Sequence, residues 1–209
     1  YYRVYQGNYT LPIVNLRAAR EEALRDPHCL WLVNEVGGKL VGSVIFLVDP
    51  EQRHAKVFAA ATDGEFRREN LAYRTLKFGI DMLLYASRTC DVIYATTRTR
   101  SMGPDALLRK LGFISMGIFP NVHRTTQNET HGLKALFHPD AFVGRSKRPR
   151  LIPEVEGFYD LICQSYGLEP AEIVPVADGL SLRVERGTAV ADAGPGRVDL
   201  ELFNRTRRH

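Results

Sequence analysis

The sequence lacks any apolar run approaching the ~20 residues that a membrane-crossing helix needs, and it lacks a basic-then-apolar leader at its start. No membrane partner is therefore expected. Cysteine is scarce. Cys29, Cys90 and Cys163 are odd in number, far apart and in no metal-ligand spacing. That argues against a disulfide framework and predicts small buried thiols in a reducing, cytoplasmic setting. His123, His131 and His138 are scattered with no known ligand spacing, so no metal is expected. An opening methionine is missing as well: the chain starts at Tyr1, and further sequence is expected upstream.

An excess of one charge across the body is also absent. The formal net charge of +4 is concentrated in "RSKRPR" (145–150), with Arg145, Lys147, Arg148 and Arg150, and in the final "RTRRH", with Arg205, Arg207 and Arg208. Without those seven cations the remainder carries −3. The body is thus not a nucleic-acid binder by charge, and the basic stretch reads as a solvated connector. What the chain does have is apolar substance. Hydrophobic residues make up 44% of its 209 positions, enough for one ordinary core plus an extension.

Residues 1–14 are aromatic-rich and show no firm periodicity. Residues 15–24 are rich in helix formers, with Asn15 as a candidate cap and Asp26-Pro27 beyond the end. "CLWLVNEV" and "KLVGSVIFLV" flank Gly37-Gly38, a two-residue hairpin signal. "HAKVFAAAT" (54–62) reads as a third strand. A helix then runs to about Leu84, with Leu76, Ile80, Leu83 and Leu84 on one side. "DVIYATT" (91–97) is a strand and "PDALLRKL" (104–111) a short helix. "FISMGIF" and "HGLKALF" are two further strands. This order predicts a mixed α/β sheet with flanking helices over residues 1–142. A basic linker (143–153) leads to a small α+β extension (154–209): one helix over 154–168, then strands in "LSLRVERGTAV" and "GRVDLELF". That extension could pack on the first domain, complete a second lobe or form a homodimer.

The stretch "DGEFRRENLAYRTL" (63–76) feeds a strand directly into a helix. The first N–H groups of a helix have no internal partners, and with the dipole they suit phosphate. Arg67 and Arg68 add forked cations there. Taken alone, this is also what an ordinary strand-to-helix connection with two solvated arginines looks like.

Order and wording add to it. "TDGEFRRENLA" (62–72) resembles the phosphate loop of the GNAT superfamily of acyl-CoA N-acyltransferases, approximately V-D-P-E-Y-R-x-x-G-x-G/A. Asp63, Glu65 and Arg67 match, Thr62 and Phe66 stand for Val and Tyr, and Ala72 closes the pattern. The family's second signature, a short helix ending in L-G-F, is present as "LLRKLGF" (107–113). Two positions depart: Gly64 replaces the usual proline, and Asn70 stands at the pattern's first glycine. The resemblance covers roughly the first two-thirds of the chain. It implies a GNAT-like fold lacking that fold's N-terminal strand and helix.

The resemblance also implies acetyl-CoA as acyl donor and transfer to a primary amine. Strands 54–62 and 91–97 would part to admit the pantetheine arm, lined by Ala60, Ala61 and Thr62, with Arg67, Arg68, Asn70, Leu71 and Ala72 at the phosphates. A strand N–H would stabilise the oxyanion. The acid and base are harder to name, because the tyrosine expected in the short helix falls at about Leu108. Candidates are His54 as base, Tyr94 or Ser101 as acid, and Glu129 meeting the amine, each of which also has a plain structural role open to it. Arg98, Arg100 and His131 are candidates for binding the acceptor; the two arginines could take a substrate carboxylate, hinting at an amino acid or other carboxylate-bearing small molecule, or the cofactor's 3′-phosphate. The alternative is a GNAT-like binding module without catalysis, acting through its extension or basic linker.

Overall fold

The computed structural model describes residues 1–5, 9, 11–124, 128–143, 148–175, 181–185, 188–192 and 197–201. The chain divides into two compact units, Tyr1–Arg145 and Ser146–His209. Among the described residues no helix is long and apolar enough to cross a membrane.

The first unit opens with short helices α1 (Tyr2–Tyr5) and α2 (Pro12–Asn15), then α3 (Arg17–Arg25). Asn15 does not cap α3, as the sequence had suggested. Leu16 is extended (φ −103°, ψ 129°) and separates the two helices, while the Asn15 amide turns back to donate to the Tyr9 carbonyl. Strands β1 (Cys29–Val36) and β2 (Lys39–Asp49) form the expected hairpin. Gly37 and Gly38 both have positive φ, 58° and 75°, as a turn matched to strand twist requires.

Next come β3 (His54–Thr62), a 3₁₀ turn (Gly64–Glu69), α4 (Leu71–Ile80) with a π-type extension over Asp81–Ala86, β4 (Val92–Arg98) and α5 (Met102–Lys110). The unit's last strands are β5 (Ile114–Arg124) and β6 (Asn128–Phe137), each longer than its apolar stretch suggested. The sheet order is β1-β2-β3-β4-β6-β5, antiparallel throughout except for β3 beside β4. The α4 crossover joins that one parallel pair, as a parallel connection demands.

Each sheet face has its own core. On one, Leu76, Ile80, Leu83 and Leu84 of the long helix pack with Phe46, Ile93, Leu108 and Phe113. Gly79 brings α4 close: a Cβ there would sit 2.3 Å from the Phe46 ring. On the other face Ile45, Ala59 and Val14 pack with Tyr1, Tyr9, Trp31 and Phe58. The aromatic N-terminus thus forms the second cover of the sheet.

In the second unit β7 (Arg150–Leu151) pairs in parallel with β8 (Glu172–Ile173), and α6 (Glu156–Tyr166) lies between them in sequence. Part of the stretch expected as linker is therefore structured. Arg148 donates to the Pro170 and Ala171 carbonyls, and Arg150 pairs with Glu172. Arg145 and Lys147, like Arg205, Arg207 and Arg208, lie outside the described residues. Helix α6 ends at Gly167, whose φ of 62° lets the Leu168 N–H reach back to the Cys163 carbonyl. "LSLRVERGTAV" is two strands rather than one. β9 (Ser181–Glu185) and β10 (Thr188–Asp192) pair antiparallel, and β11 (Arg197–Glu201) pairs on the other side of β10.

Candidate active site

β3 and β4 pair in register only from His54↔Val92 to Val57↔Ala95. Beyond that β3 stays with β2 as far as Gly42↔Thr62, while β4 follows β6 as far as Arg98↔His131. A gap opens between the two strands. Its cause lies in β3. Ser43 faces Ala61 and Ile45 faces Phe58, so Ala59 and Ala60 together oppose Val44. This is a β-bulge, and Ala59 adopts φ 52°, uncommon for a residue with a Cβ. The bulge bends β3 away from β4 and turns Ala59 and Ala60 from their regular positions.

The gap leads to the start of α4. Asp63 caps the 3₁₀ turn by accepting from the Glu65 N–H at 3.4 Å. Asn70 then takes the left-handed conformation (φ 58°, ψ 22°) and begins α4 with no cap hydrogen bond from its own side chain. Here the unexpected asparagine has a physical reason: after glycine it is among the residues best suited to that region. Lys39 lies 3.7 Å from Asp63 and 3.4 Å from Glu65, so the loop's carboxylates are answered from the β1–β2 hairpin. Arg67 and Arg68 are exposed, and no ion pair holds either among the described residues. Leu71 is buried and anchors the helix start, with Ala72 half-buried beside it. The residues present thus suit a phosphate-bearing ligand: exposed cations beside a helix start that Asn70 does not cap.

At the far lip of the gap the structure brings Arg98, Arg100, Glu129 and His131 together. The Arg98 guanidinium forks onto Glu129, with Nε donating to Oε2 at 2.5 Å and Nη2 to Oε1. Arg100 lies 3.5 Å from the same carboxylate. Glu129 is buried (6% exposed), whereas the Arg100 side chain is 74% exposed. Arg98's hydrogen bonds, then its charge and that of Arg100, hold the Glu129 carboxyl below its usual range against the opposing effect of burial. A carboxylate held in this way is a weak base. His131 faces Arg98 across the β4–β6 ladder.

The remaining candidates are apart. His54 and Tyr94 tilt against each other at the paired end of β3 and β4, ring centroids 5.5 Å apart. Ser101 is an exposed residue at the start of α5. Ala60 belongs to the bulge, and Ala61 and Thr62 follow it at the end of β3.

Sequence reasoning missed the tyrosines. The Ala59 N–H donates to the Tyr9 hydroxyl at 2.9 Å, and the Tyr5 hydroxyl donates to the Ala60 carbonyl at 2.5 Å. The Tyr5 and Tyr9 rings are 4.5 Å apart, and Tyr1 stacks on Tyr5 and tilts against Trp31. Burial pushes the Tyr5 phenol far above its ordinary value, Tyr9 and Tyr1 add to that, and Arg98 opposes it. Burial likewise pushes Tyr9 up to about 12, opposed by the Ala59 N–H. Tyr5 thus feels both sides of the gap, Ala60 on β3 and Arg98 on β4. The recurrence of tyrosine every fourth residue, at 1, 5 and 9, was the available signal. Beyond Tyr1 lies a cavity of about 480 Å³ whose lining includes Trp31, Val33, Ser43, Ala61 and Asp63. Trp31 Nε1 donates to the Ser43 hydroxyl at 2.7 Å, which also bonds the Tyr1 hydroxyl at 2.8 Å.

The acetyltransferase (GNAT) family model matches residues 2–113. No curated protein sequence matches the chain. Among solved structures, the ribosomal-protein-S18-alanine N-acetyltransferase from Escherichia coli is 22% identical, with 66% of this chain and 84% of that one covered at a TM-score of 0.54. The ribosomal-protein-alanine N-acetyltransferase from Brucella melitensis is 17% identical, with 62% and 80% covered at 0.53. A spermidine N-acetyltransferase SpeG mutant from Vibrio cholerae is 14% identical, with 64% and 79% covered at 0.53. At such identities the structural likeness carries the fold. The family match runs from α1 through the Leu111-Gly112-Phe113 signature and takes in the strand that opens, the loop below it and the helix that follows, more than half of the chain. On that match and that fold, the chain belongs to the acetyltransferase (GNAT) family.

Proposed function

We propose that this protein moves an acetyl or short acyl group from acyl-CoA to a primary amine of a small molecule that carries a carboxylate, an amino acid being the simplest case. The observation that supports this most is the parting of β3 and β4 at the Ala59 bulge, leading to a helix start that Asn70 does not cap, with Arg67 and Arg68 exposed beside it. In this reading the N–H groups at the start of α4 and the two arginines hold the pyrophosphate, and the edge of β3 at Ala60–Thr62 holds the pantetheine arm. Bound acyl-CoA supplies the activated carbonyl.

The acceptor class follows from charge. Arg98 and Arg100 share one carboxylate, Glu129, so the lip of the gap carries a net positive charge. That repels polyamines and attracts a carboxylate, with the exposed Arg100 as the hand that takes it. Glu129 serves as the anchor of both arginines, and the amine loses its proton to water. The aromatic wall at Tyr1 and Trp31 suits an apolar acceptor side chain in the adjoining cavity.

The test is acetyl-CoA binding by calorimetry, followed by thioester turnover with apolar amino acids, simple amines and polyamines. Trp31, the chain's single tryptophan, reports acceptor binding by its fluorescence. Turnover with amino acids above polyamines is the expected result. Arg100→Ala should raise KM for them about tenfold with kcat little changed, the pattern of lost uniform binding. Acetyl-CoA binding without turnover of any amine would favour a non-catalytic binding module.

A further inference from the structure

The bulge that opens the gap turns two adjacent backbone groups of β3 toward the N-terminal segment, where tyrosine hydroxyls meet both. The Ala60 carbonyl is an acceptor and takes the Tyr5 proton, which uses up the donor capacity of that hydroxyl. The contact at Ala59 is the reverse. There the backbone N–H donates and the Tyr9 oxygen accepts, and among the described residues the Tyr9 proton has no acceptor, which leaves it to serve one. A hydroxyl that accepts one hydrogen bond is polarised into a stronger donor for the next. Its surroundings favour that role: the ring packs against Tyr5 at 4.5 Å within the apolar cluster of Ile45, Ala59 and Val14. Burial keeps the phenol protonated across the working pH range.

We propose that the Tyr9 hydroxyl, backed by the Ala59 N–H, is the oxyanion donor of this site, in a relay from backbone N–H to phenol to the carbonyl oxygen of the acyl thioester. The inference rests on the acyltransferase reading. During transfer the amine lone pair forms the C–N bond and the carbonyl π pair moves onto oxygen, where the Tyr9 hydrogen bond stabilises it. The C–S bond then breaks with its electron pair leaving on sulfur. The amine proton goes to water and the thiolate takes one from water, so Tyr9 keeps its own proton throughout. A donor of this kind strengthens its bond as charge develops, which is the property that accelerates a reaction rather than merely tightening binding. The positive φ of Ala59 aims the N–H at the phenol, so the bulge positions the donor as well as opening the gap.

The test is Tyr9→Phe in the full chain, which keeps the ring and its packing. Three quantities are read: acetyl-CoA affinity by calorimetry, the carbonyl stretch of bound ¹³C-labelled acetyl-CoA by isotope-edited infrared spectroscopy, and kcat. The expected result is affinity within about threefold of wild type, a carbonyl band moved to higher frequency, and kcat lower by about 10²–10³, the usual loss for one oxyanion donor. Tyr5→Phe should leave the carbonyl band where it is, which separates a bond to the thioester from general disturbance of the aromatic stack. A Tyr9→Phe protein that binds acetyl-CoA markedly more tightly, with kcat undiminished, would overturn the relay and show that the hydroxyl only plugs the gap. An unmoved band with unchanged kcat would overturn it too. If wild type binds no acetyl-CoA, the acyltransferase reading falls and takes this inference with it. If wild type binds and turns over normally, only the relay is at stake.

Discussion

The two halves of β3 differ in what holds them to β4. From His54 to Val57 the strands share a regular parallel ladder, and a forked ion pair staples its lower end. Arg53 donates to Asp91 through Nε at 2.7 Å and Nη2 at 2.8 Å, while the Asp91 N–H reaches the Arg53 carbonyl. From Phe58 to Thr62 there is no ladder to β4, and the corresponding fork, Arg98 on Glu129, links β4 to β6 instead. The lower fork is partly exposed, with the Asp91 side chain at 31%, and sits where backbone bonds already fix the geometry. The upper carboxylate is nearly closed off, with its side chain at 5%, and holds β4 to β6 at a level where β4 has no ladder to β3. The same side-chain chemistry therefore reinforces a closed edge in one place and frames an opening in the other.

Glu129→Gln should break this comparison most strongly. It puts a neutral amide in place of the nearly closed-off carboxylate that answers both Arg98 and Arg100, and a cost of about 3 kcal/mol, the top of the range for a hydrogen bond to a charged group, is expected, read as a lower midpoint in urea. Asp91→Asn should cost clearly less, because solvent reaches that pair. Both carboxyls are held below their ordinary values, chiefly by the hydrogen bonds from Arg98 and Arg53. Near pH 4 the folded chain thus binds fewer protons than the unfolded one, and stability rises with pH. The contribution is complete above the unfolded carboxyl values and is lost as pH falls through the lowered folded ones. Glu129→Gln should accordingly flatten the pH dependence of unfolding below about 4.5, the ordinary glutamate value.

Arg67→Ala should come next, weakening acetyl-CoA by about 1–3 kcal/mol, the range for a charge-assisted hydrogen bond. Arg53→Ala at the closed end should leave that affinity unchanged. Calorimetry on both variants sharpens the contrast between a free and a committed arginine, and equal affinities would remove Arg67 from the phosphate site. The smallest effect is expected from Asn70→Gly. Glycine accepts φ 58° at no steric cost, so thermal stability should change by only a few tenths of a kcal/mol. Acetyl-CoA affinity should hold or rise as the backbone comes closer to phosphate.

Several elements were legible because their signals are local. Gly37-Gly38 announced a hairpin, the apolar spacing from Leu76 to Leu84 announced a helix, and Gly112 after Leu111 announced its neighbour's end. Other elements were not. Asn15 looks like a cap until Leu16 extends, and "LSLRVERGTAV" looks like one strand until its two halves pair with each other. Both outcomes depend on what the segment packs against. The same division runs through the candidate site. The loop before α4, proposed to hold phosphate, is a contiguous run of residues, and its wording survives in sequence. The lip that holds Arg98 and Glu129 is assembled from β4 and β6, and nothing near Glu129 in the chain reveals that Arg98 will hold it.

By itself the sequence determined the order of elements and the loop at the start of α4, because backbone geometry and helix-end electrostatics act within a few residues. Tertiary structure alone decided where β3 leaves β4, which carboxylate is held anionic and which tyrosine meets the Ala59 N–H. Those are contacts between residues as many as 50 positions apart, and only packing fixes their distance.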